Sequence, residues 1–194
     1  MTAAARLPPR HPLGELFRSA SKPHRRPWHA GRVGPATIEA SGSAFVLRRA
    51  GRHDVDALVA LLAADALRAA EFGSTSEERA GYVAAFEAID ADAAQLLVAV
   101  DGPDGDVVAT MQLTFIPGLS RGGATRMQIE AVRVADSVRG RGLGSAMIAW
   151  AVDHARERGA RLVQLTSDAR RDDAHRFYER LGFTASHVGF KRYL

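Results

Sequence analysis

The sequence predicts an α/β (α+β) domain: a mixed central β-sheet flanked by helices. Three observations carry this. Segments of strand-like alternation and helix-like periodicity follow one another in the order β-α-α-β-β-β-α-β-α-β. Two strands are joined by a short hairpin turn, which makes antiparallel pairs, whereas a later strand–helix–strand run makes parallel ones, so the sheet should be mixed. The 194 residues, 46% apolar and 25% charged, supply one globular domain with enough material for a core.

Each element has a local reason. Ala44–Arg49 (AFVLRR) alternates as a first strand. Asp54 is placed to cap a helix whose apolar positions, Val55, Leu58, Val59, Leu62 and Leu67, fall near helical spacing. Ser76-Glu77-Glu78 opens a second helix with acids in its first turn and an apolar stripe of Tyr82, Val83, Phe86 and Ile89. Gln95–Val100 and Asp106–Phe115 are strands on either side of the turn Asp101-Gly102-Pro103-Asp104-Gly105. After a Gly/Pro loop at 116–123, Ala124–Val134 alternates through Met127, Ile129 and Ala131 and then breaks step at Val132 and Val134. Gly142–Arg158 carries the helical stripe Leu143, Met147, Trp150, Ala151 and His154, and Gly159 stops it. Arg161–Thr166 is a strand, Arg170–Leu181 a helix stopped by Gly182, and Phe183–Leu194 two short strands or one bent one.

Charge and composition exclude several classes. No apolar run approaches the roughly 20 residues that span a bilayer. Cysteine is absent, which removes disulfides, thiolate zinc sites and cysteine nucleophiles. A cytoplasmic location is expected. Residues 1–44 carry a net charge of +5 and six of the eight prolines, and are expected to be an unstructured basic Pro/Arg-rich leader outside a domain at 45–194. The rest of the chain is close to neutral: residues 45–110 sum to −7 and residues 111–194 to +6. A polyanionic ligand would be steered to the C-terminal half. Because the basic excess sits in the leader, no nucleic-acid partner is expected. The histidines are scattered and no metal-ligand spacing is present, so no metal is expected.

The informative segment is Val134-Ala135-Asp136-Ser137-Val138-Arg139-Gly140-Arg141-Gly142-Leu143-Gly144. It leaves a strand, turns through three alternate glycines and enters a helix. Glycines let the backbone turn tightly and approach a ligand, and the first free N–H groups of a helix attract an anion. Arg139 and Arg141 add cations suited to phosphate. A nucleoside-triphosphate loop would need Gly-Lys-Ser/Thr, and no lysine is present. A dinucleotide turn would need G-x-G-x-x-G/A, but Ser145 and Met147 occupy the two possible third positions. Asp168, at the end of the next strand, sits where a ribose-binding acid could, so that reading stays open. The third pattern, Arg/Gln-x-x-Gly-x-Gly/Ala, is matched by Arg139, Gly142 and Gly144.

At these residues the chain resembles the GNAT N-acetyltransferases, in which that pattern is the pyrophosphate loop for acetyl-CoA. The stretch His175-Arg176-Phe177-Tyr178-Glu179-Arg180-Leu181-Gly182-Phe183 is similar to the family's second signature. Leu165–Leu194 is also similar to its aminoalkylphosphonate N-acetyltransferases. The resemblance covers roughly 45–194 and implies a GNAT fold, with acetyl-CoA as acyl donor. It implies that the backbone of Val138, Arg139, Gly140, Arg141, Gly142, Leu143 and Gly144 holds the donor, and that the strand break at Val132 and Val134 opens a gap where main-chain groups meet its pantetheine arm. That break is consistent with a bulge or with a buried strand.

Tyr178 aligns with the tyrosine that protonates the leaving thiolate in many members, the alternative being an aromatic packed like Phe177. Glu130, four residues before Val134, is the candidate base; otherwise it partners Arg126 or Arg133. Gln128 shares its strand face and is a candidate substrate contact. Asp168 stands where many members place an asparagine against the pantetheine; an ionised carboxylate cannot donate, so it either departs from that contact or caps the helix at Arg170. His154 falls on an apolar stripe and is expected in the core. The expected function is acetyl transfer from acetyl-CoA to the primary amine of a small molecule by direct attack in a ternary complex. The alternatives are a protein or peptide N-acetyltransferase and a non-catalytic acyl-CoA-sensing domain. A homodimer is common in the family.

Overall fold

A computed structural model of the chain describes residues 34–65, 72, 73 and 75–194. Its six strands lie side by side in chain order, β1 to β6. β1 (Ala36–Ala40) and β2 (Ser43–Arg49) form a hairpin about Ser41-Gly42. Both turn residues have positive φ, 46° and 75°, which suits the twist of a two-residue turn. Two helices follow, α1 (Val55–Ala63) and α2 (Ser76–Ala91), then β3 (Gln95–Asp101), β4 (Val107–Ile116) and β5 (Arg126–Val134). Every strand pair up to β4–β5 is antiparallel. A single irregular turn, α3 (Ser120–Gly123), lies between β4 and β5. Helix α4 (Leu143–Glu157) then crosses over to β6 (Leu162–Leu165), which pairs with β5 in parallel, and α5 (Asp172–Arg180) follows.

Alternation divides the sheet into two faces. Leu96, Val98 and Val100 of β3, Met111 and Leu113 of β4, and Met127 and Ile129 of β5 pack with Leu143, Met147, Ile148 and Ala151 of α4. Each side chain of this size contributes roughly 1.5–3 kcal/mol on full burial. On the opposite face Ala99 packs with Val55 and Leu58 of α1 and Phe86 of α2. That smaller core is closed by charge. Arg48 donates through Nη1 and Nη2 to the Asp54 carboxylate (2.7 and 3.0 Å) and through Nε and Nη2 to Asp101 (2.6 and 2.8 Å). Asp54 is 3% exposed.

The structure corrects several expectations. Strand β1 lies inside the stretch 1–44: the folded domain begins ahead of residue 45, because Ile38 and Ala40 bury against the sheet while Pro35 and Gly42 disguise the alternation. Residues 1–33 lie outside the described residues, and so does Leu67. Asp54 occupies the N-cap position of α1 but makes no cap bond to that helix; its carboxylate accepts from the Gly51 N–H (2.7 Å) and from Arg48 instead. Helix α2 starts at Ser76, as expected, and a reciprocal Thr75–Glu78 pair caps it. Phe183–Leu194 forms no strand. A strand exists only where a neighbouring edge supplies its ladder, and none does so here. The mostly antiparallel sheet also removes the dinucleotide-binding alternative, which needs a parallel one.

Candidate active site

The site begins where β5 and β6 part. Their pairing covers only Arg126–Ile129 against Leu162–Leu165, and β5 runs on to Val134 without a partner on that side. Across the other edge of β5, Glu130 pairs with Gln112 but Arg133 pairs with Thr110. Ala131 and Val132 therefore face the single residue Met111. Ala131 has φ 53°, a left-handed backbone that a non-glycine residue adopts only when the surrounding structure imposes it. The broken alternation at Val132 and Val134 is thus a bulge, and it opens the sheet at the mouth of the wedge.

The glycine segment closes that mouth. After a 3-10 turn at Asp136–Val138, Gly140 (φ 77°) and Gly142 (φ 83°) reverse the chain into α4. Gly142 is the N-cap and no side chain caps the helix. The N–H groups of Leu143, Gly144 and Ser145 precede the first helical bond, Ala146 N–H to Gly142 O, so they are available to an anion at the positive end of a fifteen-residue helix. Leu143 anchors the turn in the core, 1% exposed, and Val138 packs against the same core. Gly144 faces α5: a Cβ there would lie 3.5 Å from Phe177 Cζ and 3.9 Å from Val134 Cγ2. The loop is also held from β1–β2, where Ser41 Oγ donates to Arg141 O at 2.7 Å. Arg139 pairs with Asp136 (2.6 Å) and donates to Val134 O. The exposed Arg141 guanidinium has no partner among the described residues.

Tyr178 lies partly buried on α5, its ring edge-on to Phe177 (5.1 Å) and Phe183 (5.9 Å). Burial pushes its phenol above the ordinary value, and the Arg133 and Arg171 charges oppose that. These two arginines belong to a cluster that sequence reasoning does not find. Arg133 Nη2 donates to Asp65 Oδ2 at 2.7 Å, and Arg171 donates to the same oxygen. Asp65 follows α1, Arg133 follows the bulge, and Arg171 precedes α5, so one carboxylate 9% exposed ties three elements beside the tyrosine. The partners are 68 and 106 residues apart in sequence, and no local pattern could signal the contact.

The remaining candidates fall on two sides. Gln128 and Glu130 share the face of β5 away from α4. Gln164 Nε2 donates to Gln128 Oε1 (2.7 Å), and Glu130 is exposed with no ion pair among the described residues. Arg133 is thus bound to Asp65 and not to Glu130. Asp168 Oδ1 accepts from the Arg170 N–H (3.0 Å) and both carboxylate oxygens accept from its guanidinium, which holds the carboxyl well below the ordinary range. Helix α5 starts only at Asp172, so this is a local turn ahead of the helix. His154 is a core residue, stacked on Trp150 at 5.0 Å; burial holds it below the ordinary histidine value. Among the described residues no group of His, Asp and Glu could hold a metal, and no helix is long and apolar enough to cross a membrane.

The parted strands, the bulged strand and the glycine turn together form an opening that ends on an anion-attracting helix N-terminus. The model of the Acetyltransferase (GNAT) family matches residues 60–183, and the chain belongs to that family, whose members use acetyl-CoA. Among curated relatives, 67 residues are 42% identical to an aminoalkylphosphonate N-acetyltransferase of Salmonella typhimurium, spanning 34% of this chain and 44% of that one. A glucosamine 6-phosphate N-acetyltransferase of Trypanosoma brucei brucei is 39% identical over 83 residues, 43% of this chain and 54% of that one. The matches thus span about half the length of these relatives. A solved structure described as a transcriptional regulator from Bacillus halodurans C-125 is 39% identical, covers 77% of this chain and 99% of its own, and superposes with a TM-score of 0.74.

Proposed function

We propose that the chain is an acetyl-CoA-dependent N-acetyltransferase that acetylates the primary amine of a small molecule by direct attack within a ternary complex. The observation that carries this is the junction of the bulged, unpaired end of β5 with the uncapped N–H groups of Leu143–Ser145, with Tyr178 alongside. Acetyl-CoA supplies a thioester, whose carbonyl is activated towards amines. The backbone from Val138 to Gly144 holds its pyrophosphate through N–H groups. Main-chain groups at Val132 and Val134, free of a β6 partner, line the arm and polarise the carbonyl oxygen.

Glu130, exposed on the acceptor face, accepts the ammonium proton directly or through water, and Gln128 beside it orients the amine. A C–N bond forms and the C–S bond breaks. The Tyr178 hydroxyl donates its proton to the departing thiolate; its raised pKa keeps that proton in place at neutral pH. Asp168, occupied with Arg170, contributes through its turn rather than its carboxylate. Two relatives are named for amines that also carry a phosphorus oxyanion, and the Asp65–Arg133–Arg171 cluster, two cations to one carboxylate, puts net positive charge beside Tyr178. An acceptor with an anionic group besides its amine fits this reading.

The test is thermal shift of the full chain with acetyl-CoA, with NAD as control, followed by CoA release across aminoalkylphosphonates, amino-sugar phosphates and simple amines. Stabilisation by acetyl-CoA alone and amine-dependent CoA release are expected. The absence of both stabilisation and release would overturn the proposal.

A further inference from the structure

A cavity of about 290 Å³ lies between the glycine turn and strands β2 to β4, on the side of the turn away from β6. Its size is close to the lower end of the range for small-molecule sites. Its floor is apolar: Phe45 of β2 is 1% exposed, and Val108 of β4 and Val138 of the turn are half-buried. Its rim is charged. Asp104 and Asp106 border it from the β3–β4 turn, and Arg141 from the glycine turn. Their carboxyl groups and guanidinium make no hydrogen bond or ion pair among the described residues. Elsewhere arginines meet acids, as Arg79 meets Asp56 and Arg49 meets Asp90. Here opposite charges border one hollow without meeting. The two walls are tied: Ala135 N–H donates to Val108 O (2.8 Å), and Ser41 Oγ donates to Arg141 O (2.7 Å). Val108 and Arg141 both line the cavity, so an occupant bears on the turn that leads to the N–H groups of Leu143–Ser145.

The chemistry of the rim selects the ligand. Two carboxyl groups fall short of a metal's ligand set, and no group of three metal-ligating residues occurs among the described residues. A phosphate would meet Asp104 and Asp106, and a simple cation would leave Arg141 unanswered. A zwitterion with an apolar body answers all three parts of the cavity. We propose that it binds a free amino acid with an apolar side chain: the ammonium group on Asp104 and Asp106, the carboxylate on Arg141 and the hydrocarbon on Phe45, Val108 and Val138. The occupied cavity holds the glycine turn in its donor-binding form. An occupant that favours that form raises donor affinity, and the donor raises the occupant's affinity by the same factor. Binding in the cavity does not depend on the reaction catalysed; the coupling rests on the reading of the glycine turn as the donor site.

Calorimetry of the full chain with L-leucine tests it, with isopentylamine and isocaproate as probes that lack the carboxylate and the ammonium group. Leucine is expected to bind, and each truncated probe to bind at least about tenfold more weakly. Asp104→Asn with Asp106→Asn, at two exposed turn positions, is expected to abolish leucine binding and to leave CoA binding in place. CoA serves as the donor probe because it carries no acetyl group to transfer. Its Kd should fall at least about 5-fold in saturating leucine, and only in the parent. Leucine also carries an amine, and binding on the acceptor face would survive the double change. That result would overturn the proposal, as would no leucine binding, truncated probes equal to leucine, or a CoA Kd unmoved by leucine. A parent that binds leucine but not CoA would overturn the donor reading, and the coupling with it, and leave the amino-acid site standing.

Discussion

Replacing Gly142 by alanine isolates the backbone geometry of the anion site. Gly142 has φ 83° and ψ −5°, and a Cβ there would meet nothing within 4 Å. The substitution therefore adds no clash, and its whole cost is the left-handed conformation, about 1–2 kcal/mol for a residue with a side chain. If the loop keeps its shape, that cost is paid in stability, a fall of roughly 2–8 °C in Tm for a domain of this size. If the loop relaxes to negative φ, the N–H groups of Leu143–Ser145 turn away, and acetyl-CoA affinity falls by up to about 5- to 30-fold. Gly144→Ala is the control. Gly144 lies inside the helix with ordinary φ, and its added Cβ would sit at contact distance from Phe177, so the fold should stay within ~1 kcal/mol of the parent. Melting curves with and without acetyl-CoA, and a calorimetric Kd, read both arms. A Gly142→Ala protein unchanged in Tm and in Kd would refute the reasoning, as would an equal loss of stability in Gly144→Ala.

Three further outcomes are expected. Tyr178→Phe should lower kcat by roughly 10²- to 10⁴-fold with little change in acetyl-CoA Kd; because burial raises the phenol pKa and the protonated form is the active one, the parent's activity should persist above pH 10 before its basic limb falls. Asp65→Asn removes the carboxylate that Arg133 and Arg171 share, leaving more positive charge beside Tyr178. Its phenolate should then form at lower pH, measured as a difference against Tyr178→Phe by ultraviolet absorbance, and an unmoved titration would argue against the cluster's influence. Arg48→Met strands the buried Asp54 and should cost about 3 kcal/mol in denaturant unfolding. Burial alone would raise the Asp54 carboxyl, but the Arg48 and Gly51 hydrogen bonds outweigh it and hold the folded pKa below the ordinary value. That contribution is present above pH 4 and is lost as pH falls through the folded pKa, so the parent should lose stability in acid more steeply than the variant.

The parts legible in the sequence are those governed by short-range physics. The alternation of β3, β4 and β5, the stripe of α4, the hairpin turn after β3 and the glycine reversal at 140–144 depend on residues within a few positions of one another, and the predicted and observed boundaries of these elements differ by a residue or two. Even the bulge left a trace, because an extra residue flips the alternation after Ala131. Tertiary structure alone decided the rest. β1 is a strand because Leu47, Val46 and Phe45 offer it an edge, whereas 183–194 pairs with no strand among the described residues and forms no ladder. Asp54 has the signature of a cap, yet Arg48, which also binds Asp101, draws its carboxylate into a buried charge cluster. Asp65, Arg133 and Arg171 meet over separations of 68 and 106 residues. Periodicity reports which face of an element is apolar; it carries no information about which distant side chain will face it, since that follows only from how the elements pack.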